Sequence, residues 1–95
     1  MSASHNTVTR VLSHHYDAEA DAFYVTFRKA PIASQVTLSP EIILDETVDH
    51  TIVGMEVLYP RENWPQAQKW LRQHGFLVDF PLSSFDVTPS NNTDQ

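Results

Sequence analysis

Three carboxylates alternate with alanines near the start of the chain. Asp17, Glu19 and Asp21 are each separated by one residue, and alternating carboxylates in a loop are able to converge on a hard cation such as Ca²⁺. A calcium loop of the EF-hand type begun at Asp17 would require glycine at Ala22 and a bidentate glutamate at Arg28. The spacing therefore favours an acidic hairpin turn, in which Asp17 accepts local backbone hydrogen bonds.

Two adjacent histidines, His14 and His15, precede this turn. Adjacent side chains of a strand point to opposite faces of the sheet, so the two imidazoles are not expected to bind one metal ion together. One alternative remains open, a metal- or small-ligand-dependent enzyme in which one histidine acts with a nearby carboxylate. The carboxylates available for that site are Asp17, Glu19 and Asp21.

The sequence contains no motif for covalent catalysis or for phosphate binding. There is no Gly-x-Ser-x-Gly stretch, and Gly54 and Gly75 are the only glycines, so neither a Walker loop nor a Rossmann fingerprint is present. The absence of cysteine removes thiolate nucleophiles, disulfides and cysteine-ligated metal centres. We therefore expect a protein that is not an enzyme, with no catalytic residue, no cofactor and no metal.

Length and composition indicate one small domain. A chain of 95 residues with 41% hydrophobic residues is long enough for a single core. Such a core is small, and self-association is a common supplement, so a homodimer is expected. The sequence contains no apolar run long enough to span a bilayer and does not start like a signal peptide, which favours a cytoplasmic protein that does not contact a membrane.

The negative charge is concentrated in the middle of the chain. The net charge is −6, and the segment from Asp17 to Glu56 holds eight acids and two bases, which accounts for all of it since 8 − 2 = 6. Direct nucleic-acid binding normally requires a basic face, so a basic protein partner is the better expectation. The alternative is that these acids are simply solvated turn and strand-face residues.

Eight residues are predicted to form the partner-binding surface. They are six of the eight acids of the central segment together with two tryptophans, because tryptophan is frequent at binding hot spots. The alternative for both tryptophans is that they pack on the sheet. The predicted residues are Asp17, Glu19, Asp21, Asp45, Glu46, Glu56, Trp64 and Trp70.

Alternating or continuous apolar residues predict strands over 22–27, 34–38, 41–45 and 51–59. Residues 11–16 are expected to be extended and to form a hairpin with the first of these across 17–21, and residues 76–80 are a last apolar segment, read as an edge strand. Gly54 inside the strand over 51–59 suggests a bulge or a close approach of another group to the backbone. The period then becomes helical, with Asn63 as the predicted N-cap of a helix over 64–74. Gly75 suits the left-handed residue that follows a helix.

The order of elements predicts an α+β fold, an antiparallel β-meander of four to five strands packed by one C-terminal helix. Residues 1–10 are expected to form a flexible N-terminal arm and residues 88–95 a disordered tail. A single domain is expected over residues 11–87.

Three sequence blocks in this order resemble a known family. The blocks are Tyr-Asp-Ala-Glu-Ala-Asp-Ala-Phe-Tyr-Val from residue 16, Leu-Ser-Pro-Glu-Ile-Ile-Leu-Asp from residue 38 and Ile-Val-Gly-Met-Glu-Val-Leu from residue 52. They are similar to the small bacterial proteins grouped as domain of unknown function 2283, over residues 16–58. The family usually has an Asp-x-x-Gly turn between the last two blocks. Residues 45–51 contain no glycine, which predicts a longer or differently shaped turn here.

The resemblance implies a compact β-meander and no established activity, cofactor or catalytic residue. Some members are encoded beside a small putative toxin, which implies an antitoxin-like role. The leading hypothesis is thus a non-enzymatic protein-binding or regulatory module, whose acidic sheet binds a small basic, toxin-like protein. The alternatives are the metal- or small-ligand-dependent enzyme and a structural oligomer subunit held by sheet-edge pairing.

Overall fold

Strands and one helix follow each other along residues 8–78, the part of the chain that this computed structural model describes. The short strand β1 takes up the end of the predicted N-terminal arm, whereas the tail predicted for residues 88–95 lies outside the described residues. In chain order the elements are β1 (Thr9–Arg10), β2 (Ser13–Asp17), β3 (Ala22–Thr26), β4 (Ser34–Ser39), β5 (Ile42–Glu46), β6 (Ile52–Leu58), α1 (Pro60–Gln73) and β7 (Phe76–Leu77).

Strands β2 to β6 form a five-stranded antiparallel sheet in the order β2-β3-β6-β5-β4. The predicted fold class, an antiparallel sheet with one C-terminal helix, is confirmed. The strand order differs from that of a single meander, in which each strand pairs with the next one along the chain. Here the chain leaves β3 and crosses to the far edge of the sheet to form β4, and β3 pairs with β6 instead. Burial explains this order, since the central β6 is mostly buried and the edge strand β4 is mostly exposed.

The core lies between one face of the sheet and α1. Phe23 and Val57 are fully buried there, and the ring of Trp64 packs edge-on against Phe23, with 5.4 Å between ring centroids. The other face of the sheet, which we call the open face, carries the alternate side chains of the same strands. The buried core consists of Phe23, Val25, Phe27, Ile42, Leu44, Met55, Val57, Trp64, Ala67 and Leu71.

Helix α1 begins earlier than predicted, at Pro60 rather than at Trp64. Tyr59 is the N-cap in a left-handed conformation, with φ 49°, and proline suits the first helical position because no intrahelical donor is needed there. The prediction that Asn63 is the N-cap was wrong, since its Nδ2 lies within the first turn and donates to the Leu58 carbonyl oxygen at 2.9 Å. In residues 8–78 no helix is long and apolar enough to cross a membrane.

A short parallel pair of strands closes the far end of the helix. β7 pairs with β1, and the Thr9 amide donates to the Gly75 carbonyl oxygen at 3.0 Å. Gly75 has φ 83° directly after the last turn, which confirms the predicted left-handed residue. Phe76 then packs against Phe27, with 4.4 Å between ring centroids, so this segment covers one edge of the core.

Candidate functional site

Three chain segments meet at the end of the sheet where α1 begins. The Tyr59 amide donates to the Asp21 carbonyl oxygen, and the neighbouring Leu58 amide donates to the Glu41 carbonyl oxygen, both at 2.8 Å. Because β3 and β5 lie on opposite sides of β6, these two acidic residues are about 10 Å apart across the sheet, or two strand spacings. We call this surface the acidic end; its acids are Asp17, Glu19, Asp21, Glu41 and Glu62, beside the single base Arg61.

Hydrogen bonds to aspartate side chains stabilise the turn between β2 and β3. Asp17 Oδ1 accepts from the amides of Glu19 and Ala20 at 3.1 and 3.3 Å, which confirms the predicted local bonds. The Tyr16 hydroxyl donates to Asp21 Oδ1 at 2.6 Å. This hydrogen bond to a carboxylate raises the pKa of Tyr16, because the phenol would lose its donated proton beside a negative charge. The two aspartates are therefore held in place by the turn itself.

An open cleft of about 460 Å³ lies next to this turn, lined by Asp21, Tyr59, Arg61 and Glu62. Tyr59 is exposed, and Glu62 stands in the first turn of α1, where the helix dipole stabilises a carboxylate. Carboxylates beside an exposed aromatic ring match the chemistry of a lysine or arginine side chain, through charge-assisted hydrogen bonds and cation–π contact.

Asp45 is a buried residue of the sheet. Its exposed fraction is 5%, and its carboxylate accepts hydrogen bonds from the Tyr24 hydroxyl and, at 2.8 Å, from Gln35 Nε2. The prediction of Asp45 as a partner-binding acid was wrong, because a buried carboxylate must use its lone pairs inside the protein. These three side chains form a hydrogen-bonded network on the open face, which we call the Asp45 network.

Gly54 makes room for this network. A Cβ at this position would lie 2.5 Å from the Tyr24 hydroxyl oxygen and 2.8 Å from the Val25 carbonyl oxygen. The pairing of β5 with β6 also shifts register next to this glycine, between Asp45 and Glu46. Both expectations for Gly54, a bulge and a close approach to the backbone, are therefore confirmed.

The network favours the protonated form of the Tyr24 phenol. Burial, the hydrogen bond to Asp45 and the charges of Asp45 and Glu56 together raise the pKa of Tyr24. A phenol with a raised pKa is a weaker acid at neutral pH, and its proton is already committed to Asp45. The network thus joins β3, β5 and β4 across the open face.

The two histidines point to opposite faces, as predicted. His14 pairs with Val25 and His15 with Tyr24, and the His14 ring lies 5.9 Å from that of Phe23 on the core face. The described residues 8–78 bring together no group of three His, Asp or Glu side chains able to hold a metal ion. The metal-dependent alternative, with His14, His15, Asp17, Glu19 and Asp21 as ligands, gains no support from this geometry.

The two tryptophans differ in their surroundings. Trp64 has an exposed fraction of 3% and packs in the core, so its prediction as a surface anchor was wrong. Trp70 is half-buried; its ring stacks on that of His74 at 3.9 Å and lines a shallow groove beside β4 with Leu38 and Ile42. The six-residue spacing turns the two rings about 120° apart on the helix, so only one points straight into the core.

The remaining predicted acids lie away from the acidic end. Glu46 is at the opposite end of the sheet, with Oε1 3.0 Å from His50 Nδ1, and Glu56 is half-buried on the open face. Glu41 and Glu62 were missed. Glu41 directly precedes β5, and Glu62 follows the end of β6 by four residues. Only the strand order shows that these two positions lie at the same end of the sheet as Asp21.

The fold and this end define a small α+β domain, an antiparallel sheet covered on one face by a helix, with a concentration of carboxylates where the helix begins. Residues 14–59 match the model of the family described as protein of unknown function (DUF2283), which confirms the resemblance seen in the three sequence blocks. The match ends at the N-cap of α1, so the helix lies outside it. No curated protein and no solved structure matches the chain.

Proposed function

We propose that this protein is a non-enzymatic binding module that holds a basic protein partner at its acidic end. The observation that carries the proposal is the pair of backbone hydrogen bonds from Leu58 and Tyr59, which brings two separate acidic turns to the two sides of one strand end. Of the five acids at this end, Asp17, Glu19 and Glu62 are exposed and Asp21 and Glu41 are half-buried, beside the exposed Arg61. Such a concentration of one charge steers an oppositely charged partner and raises its association rate.

The partner class follows from the same chemistry. A small basic, toxin-like protein offers the lysines and arginines that the cleft at Tyr59 and Glu62 would receive, and its neutralisation would be an antitoxin-like role. We place this role in the cytoplasm, which the lack of cysteines suits. The acids dispersed elsewhere, Glu46 and Glu56, are not part of the proposed surface.

Co-purification with the full chain tests the proposal. Tagged protein is exposed to an extract of its native host at about 50 mM and about 500 mM salt, since screening separates charge-driven binding from the rest. The decisive variant is Glu19→Gln with Glu41→Gln, and the matched control is Glu46→Gln with Glu56→Gln, which changes the net charge equally. Circular dichroism of each variant reports whether the fold is retained.

The expected result is a basic protein that is retained at low salt, released at high salt and lost only with the acidic-end variant. Isothermal titration with that purified partner should show affinity reduced by about tenfold or more for Glu19→Gln with Glu41→Gln, and little changed for the control. No partner at either salt, or equal loss with both variants, would overturn the proposal.

A further inference from the structure

The edge strand β4 has features that favour pairing with a further strand. It ends the sheet order β2-β3-β6-β5-β4, and five of its six residues are exposed. Its sequence, Ser-Gln-Val-Thr-Leu-Ser, contains neither a charge nor a proline. Natural edge strands usually carry such features because unpaired backbone groups otherwise recruit another strand. One bulge, between Thr37 and Ser39, lies near its end and leaves the first part of the strand regular.

Apolar side chains accompany this edge. Val36 and Leu38 are each 37% exposed, although both belong to the sheet face that α1 covers. Leu38 continues into the groove of about 230 Å³ between β4 and α1, where Ile42 and Trp70 form the apolar part of the wall. The edge of the sheet and the side of the helix therefore present one continuous surface that is incompletely covered.

We propose that β4 pairs antiparallel with β4 of a second copy of this chain, about a two-fold axis perpendicular to the sheet. The two sheets then become one of ten strands, with both α1 helices on the same side. Val36 and Leu38 of the two copies meet on that side and bury each other, while the backbone groups of both edges gain hydrogen-bond partners.

Charge identifies a second copy as the occupant. Each chain carries −6, so two copies repel each other over most of their surfaces. β4 is uncharged and the groove beside it contributes only Lys69 as a charged residue, so neither the strand nor the groove offers a carboxylate to a basic protein. An uncharged strand with alternating apolar residues is the matching occupant, and β4 itself is such a strand.

The antiparallel arrangement also keeps the acidic ends of the two copies apart. Glu41 follows β4 and lies at the acidic end, whereas Arg28 and Lys29 lie in the connection that precedes β4, at the opposite end of the sheet. A two-fold axis places the two acidic ends at opposite ends of the joined sheet, and the end of the other copy beside each of them carries Arg28 and Lys29 together with Glu46 and Asp49. The dimer would leave both acidic ends open.

Sedimentation equilibrium of the full chain over a range of concentrations tests this dimer. The decisive variant is Val36→Lys, which places a charge on the edge; the matched control is Val48→Lys, the same change at an 84% exposed position between β5 and β6. We expect the wild type and Val48→Lys to dimerise alike. Val36→Lys should raise the dissociation constant by about tenfold or more, with an unchanged circular dichroism spectrum.

A spin label locates the interface independently. The chain has no cysteine, so Thr37→Cys, at an exposed position of β4, provides a unique attachment site. Paired β4 strands lie about 4.8 Å apart, which should bring two labels close enough for strong dipolar broadening, and Glu19→Cys at the acidic end should show none. A monomer at all concentrations, equal dimerisation of Val36→Lys, or broadening only at residue 19 would each overturn the proposal.

Discussion

The Tyr24 hydroxyl fills the space on the open face of the sheet that a side chain at Gly54 would need, because a Cβ on residue 54 would lie 2.5 Å from the hydroxyl oxygen. The two residues are diagonal neighbours on adjacent strands, since Tyr24 pairs with Glu56 and Gly54 with Thr26. The missing side chain lets the hydroxyl reach Asp45, whose buried carboxylate would otherwise lack this donor. A glycine in a central strand is thus explained by a tyrosine on its neighbour.

The first prediction concerns this pair. Gly54→Ala should lower the free energy of unfolding by about 1–3 kcal/mol, because the new Cβ overlaps the Tyr24 hydroxyl and the Val25 carbonyl oxygen. The cost should be smaller in a Tyr24→Phe background, where the nearest of these atoms is absent. Urea unfolding of the four proteins in a double-mutant cycle measures the coupling; equal costs in both backgrounds would show that the two positions are independent.

The second prediction is a dependence of stability on alkaline pH. The pKa of Tyr24 is raised in the folded state, so its contribution is fully present below the unfolded value of about 10 and is lost as pH rises beyond it. The stability gap between wild type and Tyr24→Phe should therefore stay constant up to about pH 10 and narrow progressively above it. Urea unfolding at a series of pH values gives the gap. In a pH titration followed by tyrosinate absorbance at 295 nm, the tyrosine that ionises at the highest pH in the wild type should be absent from Tyr24→Phe. A gap that stays constant above about pH 10 as well would contradict the assignment.

The third prediction concerns the turn between β5 and β6. His50 has φ 67°, a left-handed conformation, and its amide donates to the Thr47 carbonyl oxygen at 3.0 Å. His50→Gly should raise the free energy of unfolding by roughly 0.5–1 kcal/mol, because glycine adopts this conformation without steric cost. Val48→Gly in the same turn is the control and should lower it, since residue 48 has no positive φ. Thermal unfolding compares them; destabilisation by both would refute this account.

The fourth prediction separates the two tryptophans. Trp64 is buried in the core, whereas Trp70 lies half-buried beside His74. Acrylamide should quench the fluorescence of Trp64→Phe, which retains Trp70, more steeply than that of Trp70→Phe. Trp64→Ala should also cost about 3–5 kcal/mol of stability, the usual range for a buried tryptophan. The reverse order of quenching would mean that the helix faces the sheet differently.

Several elements were predictable because they depend on short-range rules. Alternation identified the strands around Phe23 and Met55, and glycine after the last helical turn marked the end of α1. The start of α1 was predicted four residues late, because a tyrosine in a left-handed conformation is not the usual N-cap. Asp45 was wrongly assigned to the binding surface because an aspartate near the end of a strand is usually exposed. Its burial depends on hydrogen bonds from Tyr24 and Gln35, which lie on other strands.

The amino-acid sequence by itself determined the α+β class, the family resemblance over the strand region and the location of the negative charge along the chain. Only the tertiary structure decided which of those acids share a surface. Position along a chain sets the net charge of a segment, but strand order sets which strand ends are neighbours, and β6 had to insert between β3 and β5 before Asp21 and Glu41 flanked the same end. The apolar character of β6, which makes the centre of the sheet its favourable place, is the physical reason for that order.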